Sequence, residues 1–342
     1  MNLGGKLKKS KKHHNTVSSL DLESFKGKIE SAFGGYVVSL DSSKLYEGKV
    51  LSTGAFTLDM SLGIGGLPFS KIIEIHGENG SGKTTLCLHC AKNVQKMGGF
   101  VVYDDVEHDL SRPYIEDLGI DPARFILVQP ECAEEALEGI LTAVDEHDKD
   151  VPMLIVLDSV AALCPRKELE GEMDDQQIGL QARIIGKFLR KFRPKLGRDP
   201  NVIFIATNQI RSKIGVRWGE PTDTPGGKAL KFFSSVRIKL VNKGFLKKGK
   251  QRYGFRCMMN VIKSKVGIPF KIAEADVIFG KGFDNRRSIF DAGVSCGVIQ
   301  KSGSNYSYED ITIHGIPSFV RSLDKDSLKS IRNKVKEYYK NE

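Results

Sequence analysis

The stretch Gly77-Glu78-Asn79-Gly80-Ser81-Gly82-Lys83-Thr84-Thr85 combines glycines, one lysine and hydroxyls at a spacing that suits a triphosphate. Only a glycine-rich turn lets the main chain curl closely enough for several N–H groups to point at phosphate oxygens. Lys83 then supplies a point charge for the β and γ phosphates, and the Thr84 hydroxyl a ligand for Mg²⁺. An apolar run, Ile72 to His76, precedes the loop and a helical pattern follows it, the context such a loop requires.

Other chemistry-bearing residues fall at the ends of similar apolar runs. Leu154-Ile155-Val156-Leu157 delivers Asp158, a carboxylate placed to hold the Mg²⁺ water shell opposite Thr84. Phe100 to Asp104 runs into Asp105-Val106-Glu107-His108, and Glu107 is the candidate for activating the attacking water. Its neighbours Asp104, Asp105 and Asp109 read as solvated or structural carboxylates. Asn208-Gln209 ends a further run; the neutral Gln209 amide suits a γ-phosphate sensor, because it can touch phosphate without competing as a base. The loop that follows carries Arg211, Lys213, Arg217, Trp218, Gly226, Gly227 and Lys228, with basic groups to neutralise a strand's phosphates and Ile214 or Trp218 to wedge against bases.

Elements that position these groups follow from the pattern. Strand-like runs at Lys71 to His76, Phe100 to Asp104, Phe125 to Gln129, Leu154 to Asp158 and Val202 to Asn208 alternate with helical segments. That rhythm predicts an α/β fold with a mostly parallel central sheet and helices on both faces. Beyond Ser235 the pattern predicts an antiparallel hairpin, Val236 to Val241 and Arg256 to Lys263, around a Lys/Gly-rich turn from Lys243 to Lys250. Leu22, Phe25, Ile29 and Phe33 recur at helical spacing after a basic leader, with Ser18 and Asp21 as a start signal. Expected divisions are residues 1–47 for the leader and helix, 48–284 for the core and 285–342 for a small α/β tail piece.

With 342 residues and 40% hydrophobic content, the chain is long enough for one large core plus appendages. It has no run of about 18 apolar residues and no apolar segment after the five lysines of residues 1–14, so neither a membrane span nor a secretory signal is expected and the cytoplasm is the default. A net charge of +10 and a pI near 9.1 suggest a polyanionic partner. The six cysteines are scattered, and the close pair Cys87 and Cys90 reads as buried thiols.

Taken together, Ser52-Thr53-Gly54, Gly65-Gly66-Leu67-Pro68, the phosphate loop, Glu107-His108, Val156 to Leu163, Asn208-Gln209-Ile210-Arg211 and Gly226 to Phe232 resemble the RecA recombinases of bacteria and their phages. The likeness runs from about Ser52 to Gly282. It implies a RecA-type ATPase core with an N-terminal oligomerisation helix and a small C-terminal domain. It also implies ATP and Mg²⁺ as cofactors, helical homo-filaments on single-stranded DNA, and homologous pairing with double-stranded DNA in a bacterial or phage-infected cell. Carried onto this sequence, Glu107 is the catalytic carboxylate and Gln209 the sensor; Tyr114 and Phe279 stack the adenine; Lys263 and Lys265 reach a neighbour's ATP; and Phe232 couples adjacent subunits. Glu168 to Ile178 is implied as a first DNA loop, Ile178 and Ile214 as inserting between base triplets, and Arg183, Arg190, Arg211, Gly226, Gly227 and Lys228 as lining the strand. The alternatives are a hexameric helicase or translocase on the same fold, and a DNA-coating protein that does not hydrolyse ATP.

Overall fold

Near-continuous apolar runs bounded by turn residues form five strands that pair in parallel, four of them buried on both faces and the edge strand Phe125–Val128 partly exposed. The computed structural model describes residues 19–33, 48–172, 179–212 and 222–341. Residues 1–47 and 48–342 form separate compact units. In the first, α1 (Ser19–Phe33) exposes Phe25; Ser18, the expected start signal, and the basic leader lie outside the described residues.

In the second unit the parallel strands are β1 (Ile72–Gly77), β2 (Phe100–Asp105), β3 (Phe125–Val128), β4 (Met153–Asp158) and β5 (Val202–Gln209). The sheet continues through β6 (Val236–Lys248), β7 (Gln251–Ser264), β8 (Ile272–Ile278) and β9 (Gly282–Phe283), in the order β9-β8-β7-β6-β1-β5-β4-β2-β3. β6 pairs with β1 in parallel, and β7, β8 and β9 add on antiparallel.

Side-chain alternation sends Ile73, Ile75, Val101, Leu154, Val156, Ile203 and Ile205 to one face, where they meet Leu86, Cys87, Cys90 and Val94 of α3 (Lys83–Lys96). Cys87 and Cys90 are therefore core thiols, and burial pushes the Cys87 thiol well above its ordinary value. Ile72, Val102, Ile155, Val202 and Phe204 go to the other face, under α5 (Ala133–Asp145) and α7 (Leu180–Gly197), which the short helices α4 (Arg112–Asp117) and α6 (Arg166–Glu170) precede in the chain. Ile185, Phe188, Leu189, Phe192 and Leu196 of α7 follow one helical stripe, with Phe192 stacked on Phe188 and edge-on to Phe204, each at 4.9 Å between ring centroids. Each such buried side chain contributes about 1.5–3 kcal/mol relative to exposure.

The hairpin departs from the sequence expectation. Lys243 to Lys248 is strand rather than turn, and the connection shrinks to Gly249-Lys250, where Gly249 takes a positive φ of 62°. After Asp284, whose carboxylate caps α9 (Asn285–Ser295) by accepting from Arg287 N–H at 3.0 Å, residues 285–341 build a small three-stranded sheet with α10 (Ile316–Ser322) and α11 (Lys325–Asn341). Phe290, Tyr306, Phe319, Ile331 and Val335 form its core together with Phe56 and Met60 of α2 (Phe56–Ser61).

Asp104 sits at 1% exposure near the end of β2, and its Oδ2 makes no hydrogen bond among the described residues. Burial lifts this carboxyl from 3.8 to about 7. Between pH 4 and 7 the unfolded chain releases this proton while the folded chain holds it, so stability falls as pH rises through that window. The full cost above pH 7 is about 4 kcal/mol. Asp104→Asn is thus expected to raise the unfolding free energy at pH 8 and to leave it nearly unchanged at pH 4, measured by urea titration at both values.

Candidate active site

The phosphate loop joins β1 to α3. Gly80 and Gly82 hold φ values of 69° and 97°, which L side chains rarely adopt, and a Cβ at Gly80 would meet only open space. Lys83 is buried, and its Nζ donates to the main-chain oxygens of Gly77 at 3.3 Å and Glu78 at 3.0 Å. Burial lowers its pKa, an effect that the nearby Asp158 and Glu107 oppose. Ser81 is buried with its Oγ unpartnered among the described residues. Positive-φ glycines, a buried ammonium and an orphaned hydroxyl fit a triphosphate.

Asp158, at the end of β4, accepts from Thr84 Oγ1 at 2.9 Å and from Tyr103 OH at 2.6 Å on Oδ2, and from Thr207 on Oδ1. Burial pushes its carboxyl up while these three hydroxyls pull it down. A hydroxyl and a carboxylate side by side fit Mg²⁺, which needs one or two protein ligands and completes its octahedron with phosphate oxygens and water. Among the described residues no cluster of three or more His, Cys, Asp or Glu side chains could hold a metal by itself.

Glu107 follows β2 and is held by two donors on one oxygen: Ser159 Oγ at 2.5 Å and Gln209 Nε2 at 3.1 Å. The structure thus brings Glu107 and Gln209 together across 102 residues of sequence. Asp105 is buried and accepts from the main chain of Asp109 and Leu110, a structural role.

Next to the phosphate loop opens a cavity of about 560 Å³, lined by Asn79, Gly80, Gly82, Lys83, Thr84 and Thr85 on one side. Tyr114, Asn242, Phe245, Phe255, Val277, Ile278, Phe279 and Gly280 line the remainder. Tyr114 OH pairs with Thr85 Oγ1 at 3.1 Å. Asn242 and Phe245 are functional candidates that sequence reasoning missed, one just before and one within the stretch Lys243 to Lys250 that reads as a turn.

Lys263 and Lys265 are not brought to this cavity. Lys263 lies opposite Arg237, itself opposite Glu74, and Lys265 N–H donates to Ser235 O, below the start of β1. From the level of Ile72 to Gly77 is about 16 Å at 3.3 Å per residue. Lys263 Nζ instead donates to the main-chain oxygens of Lys231 at 2.6 Å and Phe232 at 3.2 Å, in α8 (Ala229–Phe233), beside the 70% exposed Phe232 ring.

On the far side of β5, Arg183 and Arg190 are exposed on α7 and Lys228 is exposed just beyond Gly227. Gly226 and Gly227 pack so closely that a Cβ would come within 2.8 Å of Val160 and of Ala182 respectively. Arg211 pairs in register with Asp223. Asn208 Nδ2 donates to Pro225 O at 3.1 Å, tying the end of β5 to this glycine turn. Ile178, Ile214 and Trp218 lie outside the described residues, as do residues 173–178 of the expected first loop and 213–221 of the second.

A family model described as the RecA N-terminal domain matches residues 21–284. The chain is 42% identical over 320 residues to "Protein RecA" of Bifidobacterium breve, covering 92% of this chain and 80% of that one. It is 43% identical over 328 residues to "Protein RecA" of Arthrospira platensis, covering 92% and 88%. Against "Protein RecA" of Clostridium tetani it is 39% identical over 322 residues, covering 93% and 91%.

Proposed function

The chain belongs to the RecA family, and from that premise we propose that it forms helical filaments on single-stranded DNA, with ATP and Mg²⁺ at the phosphate loop, and pairs that strand with homologous duplex. It is a recombinase of DNA recombination and repair and an ATP-hydrolysing enzyme, with nucleotide-dependent activity, DNA partners and self-assembly. No helix among the described residues is long and apolar enough to cross a membrane. Action in the cytoplasm, and the division at residues 47 and 284, belong to the same proposal.

The observation that carries the reading is the Glu107–Gln209 contact. Gln209 ends β5, and the chain beyond it enters the basic loop that Asn208 ties to Pro225. A γ-phosphate beside Lys83 competes for the Gln209 amide and draws it off Glu107. That single exchange frees the carboxylate to take a proton from water and shifts the root of the loop facing DNA. Thr84 and, through water, Asp158 would hold Mg²⁺, which would supply charge neutralisation for the phosphates. Arg183, Arg190, Arg211 and Lys228 neutralise strand phosphates, Gly226 and Gly227 allow the backbone to approach, and Ile178 and Ile214 separate bases. Tyr114 and Phe279 flank the base, while α1 and Phe232 join subunits.

ATP hydrolysis measured with and without single-stranded DNA, across a protein titration, tests this. The expected result is DNA stimulation with a steep dependence on protein concentration. Turnover indifferent to DNA points instead to another motor on the same fold.

A further inference from the structure

α8 is five residues long, and the carbonyls of its last turn must be met from outside the helix. Leu230 O accepts from Ser234 N–H at 2.9 Å and from Ser234 Oγ at 2.6 Å. The next three are served by cations from two other elements. Lys263 of β7 donates to Lys231 O at 2.6 Å and Phe232 O at 3.2 Å, and Arg193 Nη1 of α7 donates to Phe233 O at 3.2 Å. Both cations are half-buried. Lys263 already has a reading in the reaction; Arg193 has none.

From this arrangement we infer that Arg193 is a positioning residue for ATP hydrolysis: it holds the C-terminal end of α8 and repels the Lys263 ammonium, which is thereby released to a neighbouring subunit's nucleotide. The inference rests on the reading of Lys263 as a residue that serves a neighbour's ATP. An ammonium has three N–H groups, and Lys263 gives two oxygens of α8 their partner. A phosphate that takes more than the remaining N–H draws Lys263 off these oxygens. Its departure strips two carbonyls at a helix C-terminus, where the dipole favours a cation. Arg193, on the adjoining carbonyl, keeps a cation there and so lowers the cost of the transfer.

The charges around Lys263 favour the same movement. Desolvation lowers its pKa, and the like charges of Lys265, Arg237 and Arg193 add to this against the one carboxylate, Glu74. Arg237 is itself paired with Glu74, and Lys265 is exposed, so Arg193 is the cation of the three that shares the helix end with Lys263. Lys71 lies in the same field, its pKa lowered by burial and then by Arg193 and Lys265. Arginine suits the task because it stays charged and its planar fork carries five N–H groups, so one can remain on Phe233 O while others turn to water or to a vacated carbonyl.

The test is a double-mutant cycle on the full chain, reading DNA-stimulated ATP turnover of Arg193→Gln, Arg193→Lys, Lys263→Ala and the combined Arg193→Gln, Lys263→Ala variant. Arg193→Gln is expected to lower kcat by about tenfold, within the scale of one charge at a helix C-terminus, with ATP binding to the chain without DNA unchanged. Arg193→Lys keeps the charge and is expected to restore most of the loss. In the Lys263→Ala background, Arg193→Gln is expected to cost nothing further, because no ammonium is left to position. Full turnover by Arg193→Gln overturns the inference. So does an equal loss with and without Lys263, which is what a merely structural cap of α8 gives. Undiminished turnover by Lys263→Ala overturns the reading of Lys263 itself, a separate failure.

Discussion

Glu107→Gln is expected to lower DNA-stimulated ATP turnover by about 10²–10⁴-fold while ATP-dependent DNA binding persists. The substitution is nearly isosteric, and a Gln oxygen still accepts from Ser159 Oγ and Gln209 Nε2, the two contacts that hold the side chain. What disappears is the capacity to take a proton from water. Nucleotide contacts through Lys83, Thr84 and Asp158 do not pass through this carboxylate, so the bound state survives. Hydrolysis assays paired with fluorescence anisotropy of a labelled single strand separate the two effects. Undiminished hydrolysis would remove Glu107 from the base role and turn attention to other carboxylates. Asp104 and Asp105 are poor replacements, since both are buried and Asp105 is spent on main-chain N–H groups.

Why these residues were readable in sequence follows from where they stand. Lys83, Glu107, Asp158 and Gln209 each lie at or soon after the end of a buried parallel strand, and parallel strands announce themselves as short apolar runs. Strand ends came within a residue or two of those observed. Asn242 and Phe245 were not readable. Register shifts between Asn242 and Phe245 and between Leu246 and Lys247 break the period-two alternation, and glycines with lysines then imitate a turn. The packing of Phe56 and Met60 into the core of residues 285–341 was equally hidden, because a contact spanning most of the chain leaves no local pattern. The unpaired burial of Asp104 is a property of its neighbours rather than of its own segment.

Lys263→Ala is expected to cut DNA-stimulated turnover by about a hundredfold, the scale of one lost charge-stabilising donor, without weakening nucleotide binding to the isolated chain. The reason is distance. Lys263 stands level with Glu74, about 10 Å before Gly77 along the strand and two strands to its side, and Lys265 lies below the start of β1, both beyond the reach of a lysine side chain, so neither is expected to touch a nucleotide bound by its own subunit. Lys263 rests meanwhile on the carbonyls of Lys231 and Phe232, beside the exposed Phe232 ring, on a surface free to meet another copy. Desolvation lowers its pKa, and the like charges of Lys265, Arg237 and Arg193 add to this while Glu74 opposes it, so a neighbour's phosphates would add counter-charge where positive charge predominates. Mixing experiments make the geometry decisive. In a head-to-tail filament, Lys263→Ala subunits still supply Glu107 and Glu107→Gln subunits still supply Lys263. An equimolar random mixture of these two inactive variants then contains about a quarter of interfaces with both groups intact, and turnover returns in proportion. If both groups served one chain's own nucleotide, the mixture would stay as inactive as its components.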